Sequence, residues 1–264
     1  MVDITHHVTG RNLWLLLNYS VFLTQQMRQT DKVYGKILTD MREHKTKNID
    51  KHYKILDKRI VAGKHTNKDA TFSNFFNDPL ITTRNSVRIA VNYAKTKAAA
   101  VSQGVKQIVL VANDALPVGK SISEKTLKLL MHEQDHKTAD LSGMLPCVPN
   151  MPMMIKANIA TELGICNGTR CTLSRIIMHP NQQPLEIASI SGEEYFINGS
   201  KTQPLMIIVK IKDAKFKQFV GLAKDEFPIF PHTSRFDFKH FVESKEHSIS
   251  VKRTQFPLLP GYAL

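Results

Sequence analysis

Between Asp78 and Asn113 the chain runs through a pattern that few folds can satisfy. "DPLITT" (Asp78–Thr83) is a short run with strand character. It is followed by a stretch of helical period with Val87, Ala90, Val91, Ala94, Ala98 and Val101 on one stripe and Arg88, Lys95 and Lys97 largely off it. Gly104 ends that helix, since glycine adopts a left-handed C-cap without strain. "KQIVLVAN" (Lys106–Asn113) then supplies the continuous apolar run of a strand covered on both faces. Strand, helix and strand in this order predict a βαβ unit. "YSVFLT" (Tyr19–Thr24), rich in β-branched and aromatic residues, reads as a further buried strand. The expectation is an α/β fold with an incomplete parallel sheet near Tyr19–Thr24, Leu80–Thr83 and Gln107–Ala112.

Helical spacing recurs elsewhere in this half. Val33, Ile37, Leu38 and Met41 form one set, and Ile49, Tyr53, Leu56 and Ile60 another, before an aperiodic polar loop over residues 63–77. Ser121 and Glu124 have capping-box spacing and predict a further helix with Leu127, Leu130 and Met131 inward. After Leu145 the pattern changes. Prolines 146, 149, 152, 180, 184 and 204, Asn-Gly pairs at 167 and 198, and runs such as "MPMMIKA", "TLSRIIM" and "LMIIVKI" predict short antiparallel strands, closed into a small barrel that hides its edges.

Composition limits function more than fold. Thirty-six Lys and Arg against 23 Asp and Glu, a formal +13, favour a polyanionic partner, with an ordinary basic surface as the alternative. Cys147, Cys166 and Cys171 are too few for a disulfide framework, and with His179 they lack the paired spacing of a zinc site. No metal site is expected, since the histidines show no i, i+4 pair. No signal-peptide pattern is visible, and "LWLLLNYSVFL" (Leu13–Leu23) is too short to span a bilayer, so a soluble chain without a membrane partner is expected.

"NDALPVGKS" (Asn113–Ser121) contains the Gly-Lys-Ser of a phosphate loop. Asp114 stands where the first glycine belongs, and Pro117 removes a backbone donor, so an ordinary capped loop is expected instead. Arg28, in "QQMRQ", follows a strand end, the edge where ligands collect in α/β sheets; it reads either as a phosphate-reaching arginine or as a surface residue. In "TTRNSVR", Thr82, Thr83 and Asn85 can cap the next helix, with Arg84 and Arg88 solvated. Asn167-Gly168-Thr169 and Asn198-Gly199-Ser200 match a glycosylation pattern but read as turns, and Met151, Met153 and Met154 read as strand core.

Four blocks resemble the Pif-type DNA helicases, superfamily-1 enzymes related to RecD that include the helicase portions of Helitron-type transposons. They are "LTQQMRQ", "LITTRNSVRIAVN", "LPCVPNMPMMIKANIATELGICNGTRCTL" and "VKRTQFPLLPGYAL", in collinear order. The resemblance implies a partial RecA-like second motor lobe over residues 1–160, with 251–264 returning to it. Residues 161–250 would form an inserted SH3-like β barrel. It implies a role for Arg28 at the γ-phosphate of ATP, and contacts of Thr83, Arg84 and Asn85 to single-stranded DNA. Arg170 would lie near DNA, and Asn167 and Gly168 would shape the turn into the barrel. ATP and Mg²⁺ would be held by a first RecA-like lobe, which this sequence lacks along with Walker A, Walker B and the last motor motifs. The chain is therefore expected to be inactive alone, as a fragment, a degenerate transposon copy or a split gene product, and the resemblance implies a nuclear address, with the mitochondrion as the alternative. Cys171 departs from a glycine of the family pattern and is expected to strain its turn, and Gly261 departs from an alanine. The competing expectation is a non-catalytic, basic single-strand-binding module. Against it, Phe227, Phe230, Phe236 and Phe238 form no clear alternating stripe for base stacking.

Overall fold

A β-strand persists only where a neighbour completes its hydrogen-bond ladder, and that requirement decides which apolar runs become strands. The computed structural model describes residues 4–24, 29–60, 78–121, 123–179, 186–190, 193–197, 203–212, 215–242 and 245–264. The chain divides into two compact units, Met1–Phe76 and Asn77–Leu264.

In the first unit, α1 (Ile4–Leu15) leads into a stretch without regular secondary structure, and α2 (Lys32–Arg42) and α3 (Ile49–Asp57) follow. Asp31 caps α2 by accepting from the amides of Val33 (2.9 Å) and Tyr34 (3.0 Å). The helix pair is joined through Asp40, buried on α2, which receives Lys36 Nζ at 2.5 Å and His52 Nε2 of α3 at 2.8 Å. The Lys36 bond and, after it, the His52 bond hold the Asp40 carboxyl down at about 2. Tyr19–Thr24 does not form the expected strand: Tyr19 is 94% and Leu23 96% exposed, and this unit contains no strand among its described residues with which they could pair.

In the second unit, α4 (Asn85–Gln103) is followed by β1 (Ile108–Val111), β2 (Asn113–Ala115) and α5 (Glu124–Met131). The strands β3 (Met144–Cys147), β4 (Pro152–Ile155), β5 (Arg170–Ile177), β6 (Glu186–Ile190) and β7 (Glu193–Ile197) come next. They are followed by β8 (Met206–Lys210), β9 (Glu226–Ile229), β10 (His232–Val242), β11 (Lys245–Gln255) and β12 (Leu258–Pro260). Three sheets result, ordered β3-β1-β7-β6, β10-β11-β2 and β12-β4-β5-β8-β9. The architecture is mixed α/β with mainly antiparallel pairing.

Two expectations of the fold need correction. The three-strand parallel sheet is not formed. β1 pairs antiparallel with β3 and parallel with β7, while Leu80 makes a parallel bridge with Ala263. The closed barrel is absent among the described residues. Strands after Gly164 are shared among all three sheets, and the five-stranded sheet is open, with β12 and β9 as its edges. Residue patterning marks a segment as extended but leaves its partner unspecified. Here β5 pairs with β4 and, past the intervening β6 and β7, with β8, while β11 pairs with β10 and with the distant β2. Among the described residues, no helix is long and apolar enough to cross a membrane.

The main core gathers Leu145, Met151, Met153, Ile155, Leu173, Ile207, Val209, Phe227, Ile229, Phe256 and Leu258. Met153 is strand core as expected, Met151 is core just before β4, and Met154 is only half-buried. Gly104 caps α4 with φ 64°, also as expected. The buried face of that helix is a different one. Asn92, Thr96 and Ala100 are buried, whereas Val101 is 73% exposed. Asn92 wins this side because its amide donates to Ala263 O (3.0 Å) and accepts from Ala263 N (2.7 Å), completing a buried backbone that an apolar side chain would leave unpaired. The cap of α5 is Ser123, whose Oγ accepts from Thr126 N (3.1 Å), in place of Ser121; Glu124 instead pairs with Lys128 at 2.9 Å. Leu130 is inward and Leu127 is exposed.

Cys171 lies within β5, buried, with its Sγ 3.6 Å from Met153 O, and its backbone is not in the left-handed region. The expected strain is absent, and burial pushes its thiol up to about 12. At Gly261 a Cβ would come within 3.2 Å of the Met153 backbone, so the glycine relieves a close approach of two backbone segments. The tighter case is Gly143, where a Cβ would stand 2.1 Å from Met131 O. Gly143→Ala is expected to force α5 away from β3 and to cost about 1–3 kcal/mol, read as a lowered urea midpoint; an unchanged midpoint would show that this contact yields freely.

Candidate nucleic-acid interface

The start of α4 is built by the turn before it. Thr82 Oγ1 accepts from Arg84 N (3.2 Å), and Arg84 occupies the N-cap with extended backbone (φ −103°, ψ 111°) but no side-chain capping bond. Thr83 and Arg84 are exposed. Asn85 is half-buried and does not cap the helix: its Nδ2 is 3.1 Å from His136 Nδ1, and its Oδ1 accepts from Arg88 Nε at 3.4 Å. Arg88 is not solvated. It forms a largely buried ion pair with Asp135, tying the helix start to the 3₁₀ turn Asp135–Lys137. Asn85 is therefore already engaged, whereas Thr83 and Arg84 are free to meet a ligand.

Asn167 and Gly168 do form a turn, with Gly168 at φ 93°. Asn167 N donates to Asn158 Oδ1 (3.0 Å), Gly168 N to Ile155 O (2.8 Å) and Ile155 N to Thr169 O (2.9 Å). That turn closes the long connection between β4 and β5 and delivers Arg170, exposed, to the first rung of β5 opposite Met154. Among the described residues no hydrogen bond or ion pair links Arg170 to Thr83, Arg84 or Asn85. They are nevertheless related through the backbone. Leu80 N donates to Tyr262 O (2.9 Å), Thr82 N to Leu264 O (3.1 Å) and Leu264 N to Leu80 O (2.8 Å), while β12 pairs with β4 and β4 with Arg170. Arg28 and Asn198-Gly199 lie outside the described residues.

The phosphate-loop look-alike is structural. Asn113–Ala115 is strand β2, and Asp114 turns its carboxylate on Arg253 of β11 in a two-pronged bond, Nε to Oδ1 and Nη2 to Oδ2, each at 2.7 Å. Arg253 is fully buried and also donates to Leu130 O (3.0 Å) and Leu141 O (3.1 Å), with Phe236 at 5.2 Å from its guanidinium carbon. Pro117 to Lys120 is a simple turn. The sequence marked Asp114 as wrong for a phosphate loop, but nothing local tied it to an arginine so far along the chain.

No known family's sequence profile matches the chain, and no curated protein matches it. Solved structures similar to it include a Pif1 helicase from Bacteroides in a double-mutant form, at 13% identity and TM-score 0.48, covering 92% of this chain and 41% of that one. A Pif1 helicase from Candida albicans has 12% identity and TM-score 0.47, over 94% of this chain and 47% of the other. A Bacteroides Pif1 helicase in complex with ADP-AlF3 and ssDNA has 14% identity and TM-score 0.40, over 92% and 41%. The chain thus spans less than half the length of these helicases.

Proposed function

We propose that the chain is the second motor lobe, with an inserted β domain, of a Pif-type, RecD-like superfamily-1 DNA helicase of the Helitron kind. Residues 1–160 and 251–264 belong to a RecA-like lobe and 161–250 to the inserted β domain. Its work is to grip single-stranded DNA while a first lobe holds ATP and Mg²⁺, so that hydrolysis drives movement along the strand. The pathway it would serve is DNA repair, recombination, telomere maintenance or transposition, in the nucleus or the mitochondrion.

The observation that supports this reading is the pairing of two blocks that resemble the family. "LITT" and "GYAL", nearly two hundred residues apart, lie side by side and parallel, with Leu264 N hydrogen-bonded to Leu80 O. Thr83 and Arg84 emerge at the end of that pair. They are the side chains to contact the DNA backbone, with Arg170 beyond β4 as a further contact and Asn85 as an anchor for the helix start.

Fluorescence anisotropy with a labelled thymidine oligonucleotide tests it. The chain is expected to bind, with affinity falling linearly in log[salt] as counterions are released, and to show no ATP hydrolysis above background, because it contains no Walker A lysine. Hydrolysis should return when a Pif-type first lobe and the missing motifs are fused to it. A chain that binds DNA but never supports hydrolysis in such a fusion is a binding module; one without DNA affinity at low salt is neither.

A further inference from the structure

The β10–β11 hairpin has two unlike faces. Phe238, Ile249, Val251, Arg253 and Gln255 are buried on one side, which packs Phe238, Ile249 and Val251 against Leu130 of α5. On the other side stand Thr233, Arg235, Asp237, Lys239 and Phe241 of β10 and Ser248, Ser250, Lys252 and Thr254 of β11. Strand alternation puts these on one surface, and the register sets them opposite one another.

The central rung of that surface is unfavourable as it stands. Arg235 lies directly across from Lys252. Like charges at that spacing, about 5 Å between Cβ atoms, destabilise a sheet. Neither cation has an ion-pair or hydrogen-bond partner among the described residues. Glu246, on the same face, is taken by Lys239 at 3.2 Å, and Asp237 pairs with neither cation. On the far side of Lys252 the next strand offers Ala115, which cannot neutralise it. The adjoining rung is uncharged and rich in hydroxyls, with Thr233 Oγ1 and Thr254 Oγ1 2.8 Å apart and Asn113 beside Thr254. Arg253, the neighbour of Lys252, faces inward and is already balanced by Asp114, so the outward charge belongs to Arg235 and Lys252.

We infer that this outer face is a track for the phosphodiester backbone of a nucleic-acid strand, with Arg235 and Lys252 closing on its phosphates and the Thr233–Thr254–Asn113 rung donating alongside. An anionic oxygen between the two cations turns the repulsive rung into an attractive one, and the buried face fixes the spacing before the strand arrives. This rests on the nucleic-acid-binding reading above, and adds a contact surface to it that Thr83, Arg84 and Arg170 do not supply.

The test is salt-dependent anisotropy on the full chain with a labelled thymidine 15-mer, comparing wild type, Arg235→Ser/Lys252→Ser, and an off-face control, Lys125→Ser/Lys215→Ser. Losing two phosphate contacts should shrink the slope of log K against log[salt] by about 1.4, at roughly 0.7 per contact for a single strand, with the control close to wild type. A second variant, Lys252→Glu, places an acid across from Arg235; it should bind the oligonucleotide more weakly yet unfold at a higher urea midpoint. Wild-type binding with an unchanged slope in the double variant overturns the inference alone. An equal loss in the control overturns it as general charge attraction. A wild-type chain that does not bind overturns both this inference and the function it rests on.

Discussion

Replacing Arg253 with alanine is expected to lower the unfolding free energy of the Asn77–Leu264 unit by about 3–5 kcal/mol. Domains are commonly stable by only about 5–15 kcal/mol, so the variant should be marginal. The loss has three sources. Asp114, nearly buried, would be left as an uncompensated charge; the carbonyls of Leu130 and Leu141 would each lose a side-chain donor; and the volume of a large side chain would empty beside Phe236. Two further variants separate charge from packing. Arg253→Met keeps most of the volume and should remain strongly destabilised, while adding Asp114→Leu removes the stranded carboxylate and should recover a large part of the loss, because a buried ion pair replaced as a pair is often neutral. Urea unfolding followed by circular dichroism measures all three. A loss below about 1 kcal/mol for Arg253→Ala is the behaviour of an exposed ion pair and would contradict the burial described.

The second large effect is expected at Arg28, from the γ-phosphate role that the family resemblance of its motif implies, and only when nucleotide is held. In a fusion of the chain with a Pif-type first lobe and the missing motifs, Arg28→Ala is expected to lower DNA-stimulated ATP turnover by about 10³-fold or more, as arginines that meet a transferring phosphoryl group do, while changing DNA affinity little. The reason is electrostatic: a guanidinium aimed at charge that develops during transfer stabilises the transition state and leaves ground-state binding almost untouched. The measurement is kcat beside the oligonucleotide Kd. Equal losses in both would make Arg28 a DNA-positioning residue. Turnover unaffected by the substitution would remove it from the chemistry.

What the sequence disclosed follows the range of the forces involved. α4, its glycine cap, β1 and the Asn167–Gly168 turn were legible because each depends on residues a few positions apart. Partner choice was not. The strand character of Tyr19–Thr24 is a statement about side chains, and the ladder that would realise it has to come from elsewhere. The apolar stripe of α4 misled for a related reason: the C-terminal strand needed a donor and an acceptor at Ala263, and only Asn92 supplied both. At the candidate interface, Thr83, Arg84 and Arg170 could be named from a motif and are exposed. The engagement of Asn85 with His136 depended on a turn some fifty residues away. The repulsive rung of Arg235 and Lys252 was invisible until hairpin register placed the two side by side.

The pairing of Leu80 with Ala263 also governs the order in which this unit can be made. Asn92 waits for Ala263, Leu110 O for Gln255 Nε2 and Asp114 for Arg253, so early segments of the unit are completed by the last dozen residues. Contacts so distant along the chain demand loop closure before they return any stabilisation, and they slow folding. During synthesis the residues from 77 to about 250 emerge from the ribosome lacking their closing strand, with β4 short of its β12 neighbour and Asp114 short of its counter-charge. The unit therefore completes its fold only once residues 253–264 have emerged, and until then the uncovered edge of β4 is a template on which another nascent chain can pair.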